Sequence, residues 1–161
     1  MNLTNYLQNR LAPLYGGTEH PETKRKILLM THVVVGYPSL EANWKMLEAM
    51  GEADVDLVEL QMPFSEPSAD GPLFVKANQE ALQSGIRWKD YFDLMRRANE
   101  RFDFPLLMMG YFNTAFAMGY GNYCANIRKN GGEGFIIPDL PLEEYGDLFE
   151  LSRQHELDPI M

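Results

Sequence analysis

Cysteine is almost absent from this sequence. Cys124 is the sole one, so no internal disulfide can form, and no Cys/His zinc spacing exists. It falls in a helical pattern with Tyr120, Tyr123 and Ile127, which marks it as a core side chain rather than a nucleophile. Basic residues are also scarce. Against 23 acidic side chains there are 14 basic ones, a formal net charge of −9. Such a surface repels phosphate backbones and anionic lipids, which argues against nucleic-acid or membrane partners. The one basic cluster, Lys24 to Lys26, precedes a strand-like run and reads as a solvated edge. No apolar stretch approaches a membrane span, and Met1 to Arg10 lacks a basic-then-apolar leader pattern, so the expected location is the cytoplasm. Nucleotide-binding fingerprints are missing too. Gly110 and Gly119-Tyr120-Gly121 do not make G-x-G-x-x-G after a strand, and no Gly-Lys-Ser/Thr occurs.

What is present is an alternation of strand and helix. With 161 residues, 45% of them hydrophobic, the chain suffices for one domain, expected to span 1–161. An N-terminal helix is expected within 1–14, capped by Asn2 or Thr4, with Leu7, Leu11 and Leu14 on its apolar face. Tyr15 to Lys26, with Gly16-Gly17 and Pro21, reads as a connector. Ile27 to Val35 is a near-continuous apolar run, as expected of a strand buried on both faces. Ser39 should cap a helix that aligns Leu40, Trp44, Leu47 and Met50 and ends at Gly51. Further strands are expected at Val55 to Leu60, Pro105 to Met109 and Glu133 to Ile137, with a last one opening at Asp158 to Met161. Helices are expected at Trp88 to Glu100, from near Gly119 to Lys129, and at Pro141 to His155 with Leu142, Tyr145, Leu148 and Phe149 inward.

Such alternation implies a parallel sheet with right-handed crossovers, either open and doubly wound or part of a barrel. Units of about 30 residues without a dinucleotide fingerprint favour the barrel, whose closure needs about 250 residues and eight strands. Residues 27–161 then hold βα units one to four and the start of strand five, an incomplete barrel.

The link from Leu60 to Trp88 is much the longest and contains the proline-punctuated run Gln61 to Pro72. A long loop after the C-terminal end of a barrel strand lies on the face where barrel active sites are built. Two carboxylates flank it. Glu59 ends an otherwise apolar strand, where ionisation is costly and a proton-transfer role is suited, but a strand-end salt bridge is equally open. Asp70 precedes Gly71-Pro72, where a turn or helix cap is the simpler role. Two carboxylates also raise glycoside hydrolysis, for which no aromatic-lined sugar groove is evident. His32, inside the first strand, is either an acid/base in the barrel or a hydrogen-bonded core residue.

The run Glu59-Leu60-Gln61-Met62-Pro63-Phe64-Ser65-Glu66-Pro67-Ser68-Ala69-Asp70-Gly71-Pro72 resembles the signature of the tryptophan synthase alpha subunit family. Gly36 to Ser39, Leu107 to Asn113 and Pro138 to Glu144 resemble its turn after strand one, its third strand and its fourth. That resemblance implies a TIM (β/α)8 barrel with an extra N-terminal helix, and cleavage of indole-3-glycerol phosphate to indole and glyceraldehyde 3-phosphate. It implies Glu59 as the acid/base and Asp70 as the anion facing the ring nitrogen, with Tyr111, Met109 and His32 around the indole pocket. It further implies an α2β2 complex with a beta subunit that carries the pyridoxal phosphate; this chain itself needs no cofactor and no metal. Glu66 and Pro67 fall in the loop that meets that partner.

Three residues depart from the pattern. Gln61 stands where glycine is usual, Glu66 where aspartate is usual, and His32 where an aromatic residue is common. The family's phosphate-binding loops belong to the second half of the barrel, so these residues alone are expected to be inactive. Two other readings remain: a non-catalytic half-barrel that keeps the partner loop, and another phosphate-binding barrel.

Overall fold

A computed structural model describes residues 3–11 and 27–160. Five strands alternate with helices: β1 (Met30–Val34), β2 (Leu57–Gln61), β3 (Leu106–Met109), β4 (Gly132–Ile136) and β5 (Asp158–Ile160). All four pairings are parallel, and the order across the sheet is β1-β2-β3-β4-β5. This sequential order settles the choice left open above. A doubly wound sheet reverses direction at a switch point, whereas a barrel adds each new strand on the same side.

Register partners in a parallel pair project to the same side, so the pairings sort the two faces. One face carries Val33, Val58, Leu60, Leu106, Met108 and Phe135. Helices pack on it through the buried side chains Leu47, Tyr91, Met95, Tyr123, Cys124, Ile127 and Leu148. The burial of Cys124 agrees with its core assignment. The other face carries Leu57 and Leu107, against which Leu3 and Leu7 of α1 (Leu3–Arg10) pack. Thus the N-terminal helix covers the strand starts from the inside. Arg10 fastens it there, pairing with the fully buried carboxylate of Asp56, which also accepts the Leu29 N–H at 2.8 Å.

Several boundaries differ from the sequence expectation, each for a physical reason. Helix α1 already includes Thr4, so Thr4 is not its cap. Leu14 and the connector Tyr15 to Lys26 lie outside the described residues. The apolar run from Ile27 is not a strand throughout: Ile27 and Leu29 are exposed, and pairing begins at Met30. Helix α2 (Leu40–Glu52) runs through Gly51 to a cap at Ala53, and its expected N-cap, Ser39, accepts the Ala42 N–H. The long link after β2 contains a whole helix, α3 (Pro72–Gln83), before α4 (Trp88–Arg101). Its buried face is Ala77, Asn78 and Ala81, small or polar side chains that leave no hydrophobic periodicity. A short α5 (Phe112–Met118) precedes α6 (Tyr120–Lys129). Leu142 is exposed rather than inward, because a 3-10 turn at Leu142–Glu144 breaks phase with α7 (Tyr145–Gln154).

Two local devices fix the backbone around the sheet. Asn43 of α2 is fully buried and bridges the turn after β1. Its Oδ1 accepts the Gly36 N–H at 2.6 Å, and its Nδ2 donates to the Tyr37 carbonyl at 2.7 Å. Gly134 in β4 sits where a Cβ would come within 2.1 Å of the Asp158 carbonyl oxygen and 3.0 Å of Leu107. Asn43→Ala leaves a buried donor and acceptor unpaired and is expected to cost about 3 kcal/mol in urea unfolding. Gly134→Ala forces β5 away from β4 and is expected to cost about 2 kcal/mol or more by the same measurement.

Candidate active site

From the middle of β1 and β2 to the C-terminal ends of β2 and β3, one cluster of side chains gathers on one face of the sheet. Cα pairing sets His32 opposite Glu59, and Gln61 opposite both Val34 and Met109. His32, Glu59, Gln61 and Met109 therefore share the face that α1 covers farther down. The loop after β2 folds back over this end, with the Asp70 N–H bonded to the Pro67 carbonyl at 3.0 Å.

Four polar side chains form a continuous chain. Glu59 Oε1 is 3.3 Å from His32 Nδ1. The other ring nitrogen, Nε2, is 2.8 Å from Gln61 Oε1, and Gln61 Nε2 donates to Asp70 Oδ2 at 2.7 Å. Asn78 of α3 adds a second donor, with Nδ2 at 3.3 Å from the same Asp70 oxygen. Its Oδ1 accepts the Phe64 backbone N–H at 2.9 Å, so α3 holds both ends of the loop. Gln61 and Asn78 are two of five fully buried polar side chains among the described residues, and both serve Asp70.

Aromatic groups close the surroundings. Tyr111, fully buried just after β3, accepts the Ala69 N–H at its hydroxyl at 3.1 Å and stacks on Phe64 at 5.2 Å. Burial, and after it the nearby Asp70 charge, push its phenol up to about 12, so it stays protonated. Phe74 meets the His32 ring edge-on at 5.0 Å. The histidine is held charged to higher pH than usual. Burial acts the other way, but the hydrogen bond and charge of Glu59, with help from Gln61 and Asp70, outweigh it.

The expected residues can now be placed. Glu59, Asp70, His32 and Tyr111 come together, and Met109 lies in register beside Gln61. Glu59 is the central residue of β2 rather than its end, and its carboxylate contacts His32. Asp70 is not a helix cap: Gly71 takes the N-cap position of α3 without a side-chain bond, while the Asp70 carboxylate accepts from Gln61 and Asn78. His32 engages protein groups with both nitrogens, so it offers a ligand only its ring surface. Glu66 is exposed on the loop, whereas Pro67 is buried in it. Sequence reasoning missed Asn78 altogether. Its available signal was Gly71-Pro72 opening a helix with Ala77 and Ala81 four residues apart. No group of three or more His, Cys, Asp or Glu placed to hold a metal occurs among the described residues, and no described helix is long and apolar enough to cross a membrane.

Comparison with known proteins agrees with this architecture. The family model described as tryptophan synthase alpha chain matches residues 19–161. The tryptophan synthase alpha chain of Syntrophotalea carbinolica is 44% identical over 137 residues, covering 85% of this chain and 54% of that protein. That of Aquifex aeolicus is 37% identical over 135 residues, covering 83% and 52%. Among solved structures, a protein of Aquifex aeolicus VF5 superposes with a TM-score of 0.87 at 31% identity, over 98% of this chain and 58% of that one. A chain of ligand-free tryptophan synthase from M. tuberculosis does so with a TM-score of 0.76 at 29% identity, over 82% and 53%. The chain spans about half the length of the curated relatives it matches. On the family match, the strand order and the relatives together, this chain belongs to the tryptophan synthase alpha chain family.

Proposed function

We propose that the protein carrying this sequence cleaves indole-3-glycerol phosphate to indole and glyceraldehyde 3-phosphate, with Glu59 and Asp70 as its working carboxylates. The observation that carries this reading is their placement: Glu59 in β2 and Asp70 in the loop that follows it are joined through His32 and Gln61. Such a cleavage protonates the indole carbon that leaves, breaks its bond to the glycerol carbon, and removes the hydroxyl proton as that carbon becomes an aldehyde. Protons balance within the substrate and one acid/base, so no oxidant or reductant is needed.

Glu59 supplies the proton and receives one back. Asp70 is an anion that faces the ring nitrogen and stabilises the positive charge there as the carbon is protonated. The buried Tyr111 and Met109 flank the ring, with His32 on the Glu59 side. Glu66 and Pro67 belong to the surface that meets a beta subunit in an α2β2 complex, where pyridoxal phosphate resides in the partner. A cytoplasmic setting fits this pathway step, and residues 1–161 act as one folding unit within the barrel.

Indole release from indole-3-glycerol phosphate is the test. Glu59→Gln is expected to lower kcat/KM by about 100-fold or more, since a general acid/base contributes at least that much. Near-normal turnover would overturn the assignment. Asp70→Asn keeps the shape but removes the charge, and is expected to lower kcat by about 100-fold. Binding of substrate without any cleavage by the unmutated protein would favour a non-catalytic module instead.

A further inference from the structure

The hydrogen bonds around Asp70 fix where protons lie in the rest of the cluster. A backbone N–H can only donate, so Phe64 fixes Asn78 Oδ1 as an acceptor. The Asn78 amide must then present Nδ2 to Asp70 and to the Phe74 carbonyl, at 3.3 and 2.8 Å. Asp70 Oδ2 is thereby an acceptor, and Gln61 meets it with Nε2 as a second donor. That leaves Gln61 Oε1 facing His32 at 2.8 Å, and an amide oxygen can only accept. His32 Nε2 must carry a hydrogen.

A neutral imidazole has only one N–H. With it committed to Gln61, Nδ1 would turn a lone pair toward the Glu59 carboxylate 3.3 Å away, two acceptors in contact. One more proton between them resolves the clash. We propose that His32 and Glu59 hold one proton jointly at neutral pH, and that Gln61, anchored on Asp70, is the positioning residue that imposes this by fixing the histidine tautomer. The inference rests on the reading of Glu59 as the acid/base, to which it adds a second proton holder. When Glu59 gives the shared proton to a leaving carbon, His32 remains neutral with its hydrogen on Nε2. The substrate hydroxyl proton then returns to the pair, which ends the turnover as it began.

Among the described residues, the groups that face His32 are Glu59 and Gln61 from β2, Asp70 from the loop and the Phe74 ring from α3. Both charged ones are acidic and favour imidazolium, in line with the upward displacement of its titration.

The test is a pH titration of the chain with 15N-labelled histidine, which has only three histidines to assign. His32 is expected to keep the Nε2 hydrogen throughout and to lose the Nδ1 hydrogen above the ordinary histidine range of about 6.5. In Glu59→Gln the midpoint is expected to shift down while the Nε2–H tautomer persists. In Gln61→Met the tautomer is expected to switch to Nδ1–H above the midpoint, because nothing then holds Nε2. A wild-type His32 that is neutral at pH 7 and protonated on Nδ1 would overturn the proposal without any variant. So would a Gln61→Met chain, folded by its amide spectrum, with the tautomer unchanged. These readouts need no turnover, so they stand or fall separately from the cleavage assay.

Discussion

In a parallel sheet each side chain shares its direction with its register partner, and here the pairing of His32 with Glu59 is the constraint from which the site follows. It brings an imidazole and a carboxylate to one side of the sheet on adjacent strands. Two residues on, the same alternation returns Gln61 to that side, next to Met109 of β3. A shift of one residue would turn all of these outward into the helix layer and bring Leu60 and Met108 inward. The apolar face packed by the helices therefore fixes which side the polar site occupies.

Much of this was legible. Four βα units and the start of a fifth strand follow from apolar runs alternating with helical periodicity, and Leu40, Trp44, Leu47 and Met50 do form one packed face. What escaped is also instructive. α3 buries Ala77, Asn78 and Ala81, so its core face has neither bulk nor hydrophobicity to register. Ile27 and Leu29 are apolar yet exposed, because apolar composition does not say where pairing begins. For the candidate site, the motif singled out Glu59 and Asp70, but the distance between them in sequence hides the bridge. Only the fold brings Asn78 to the loop and His32 to Gln61.

Gln61 and His32, two of the residues expected to differ from the motif this sequence resembles, touch each other at 2.8 Å. A glycine at 61 has no side chain to reach either Asp70 or the ring. An ordinary aromatic at 32 has no nitrogen to meet a carboxylate. Each substitution by itself would bury a polar group with an unfilled bond, at about 1–3 kcal/mol. Together they satisfy one another, with Asp70 and Glu59 as the outer ends.

Charge gives the pairing a further reason. Glu59 and Asp70 are two acids in one cluster, and like charges held close together repel. A unit pair of opposite charges at 4 Å is worth about 4 kcal/mol at an effective dielectric of about 20, though burial offsets much of that. An imidazolium between the acids, bonded directly to Glu59 and through a neutral amide to Asp70, reduces the cluster from two negative charges to one. Asp70 keeps two amide donors, Gln61 and Asn78, on one carboxylate oxygen, while the histidine ring lies on the Glu59 side. A lysine at 32 would neutralise the charge equally well. It would not pass its proton orientation through an amide to the second acid, because an ammonium group has three equivalent hydrogens and no tautomer to fix.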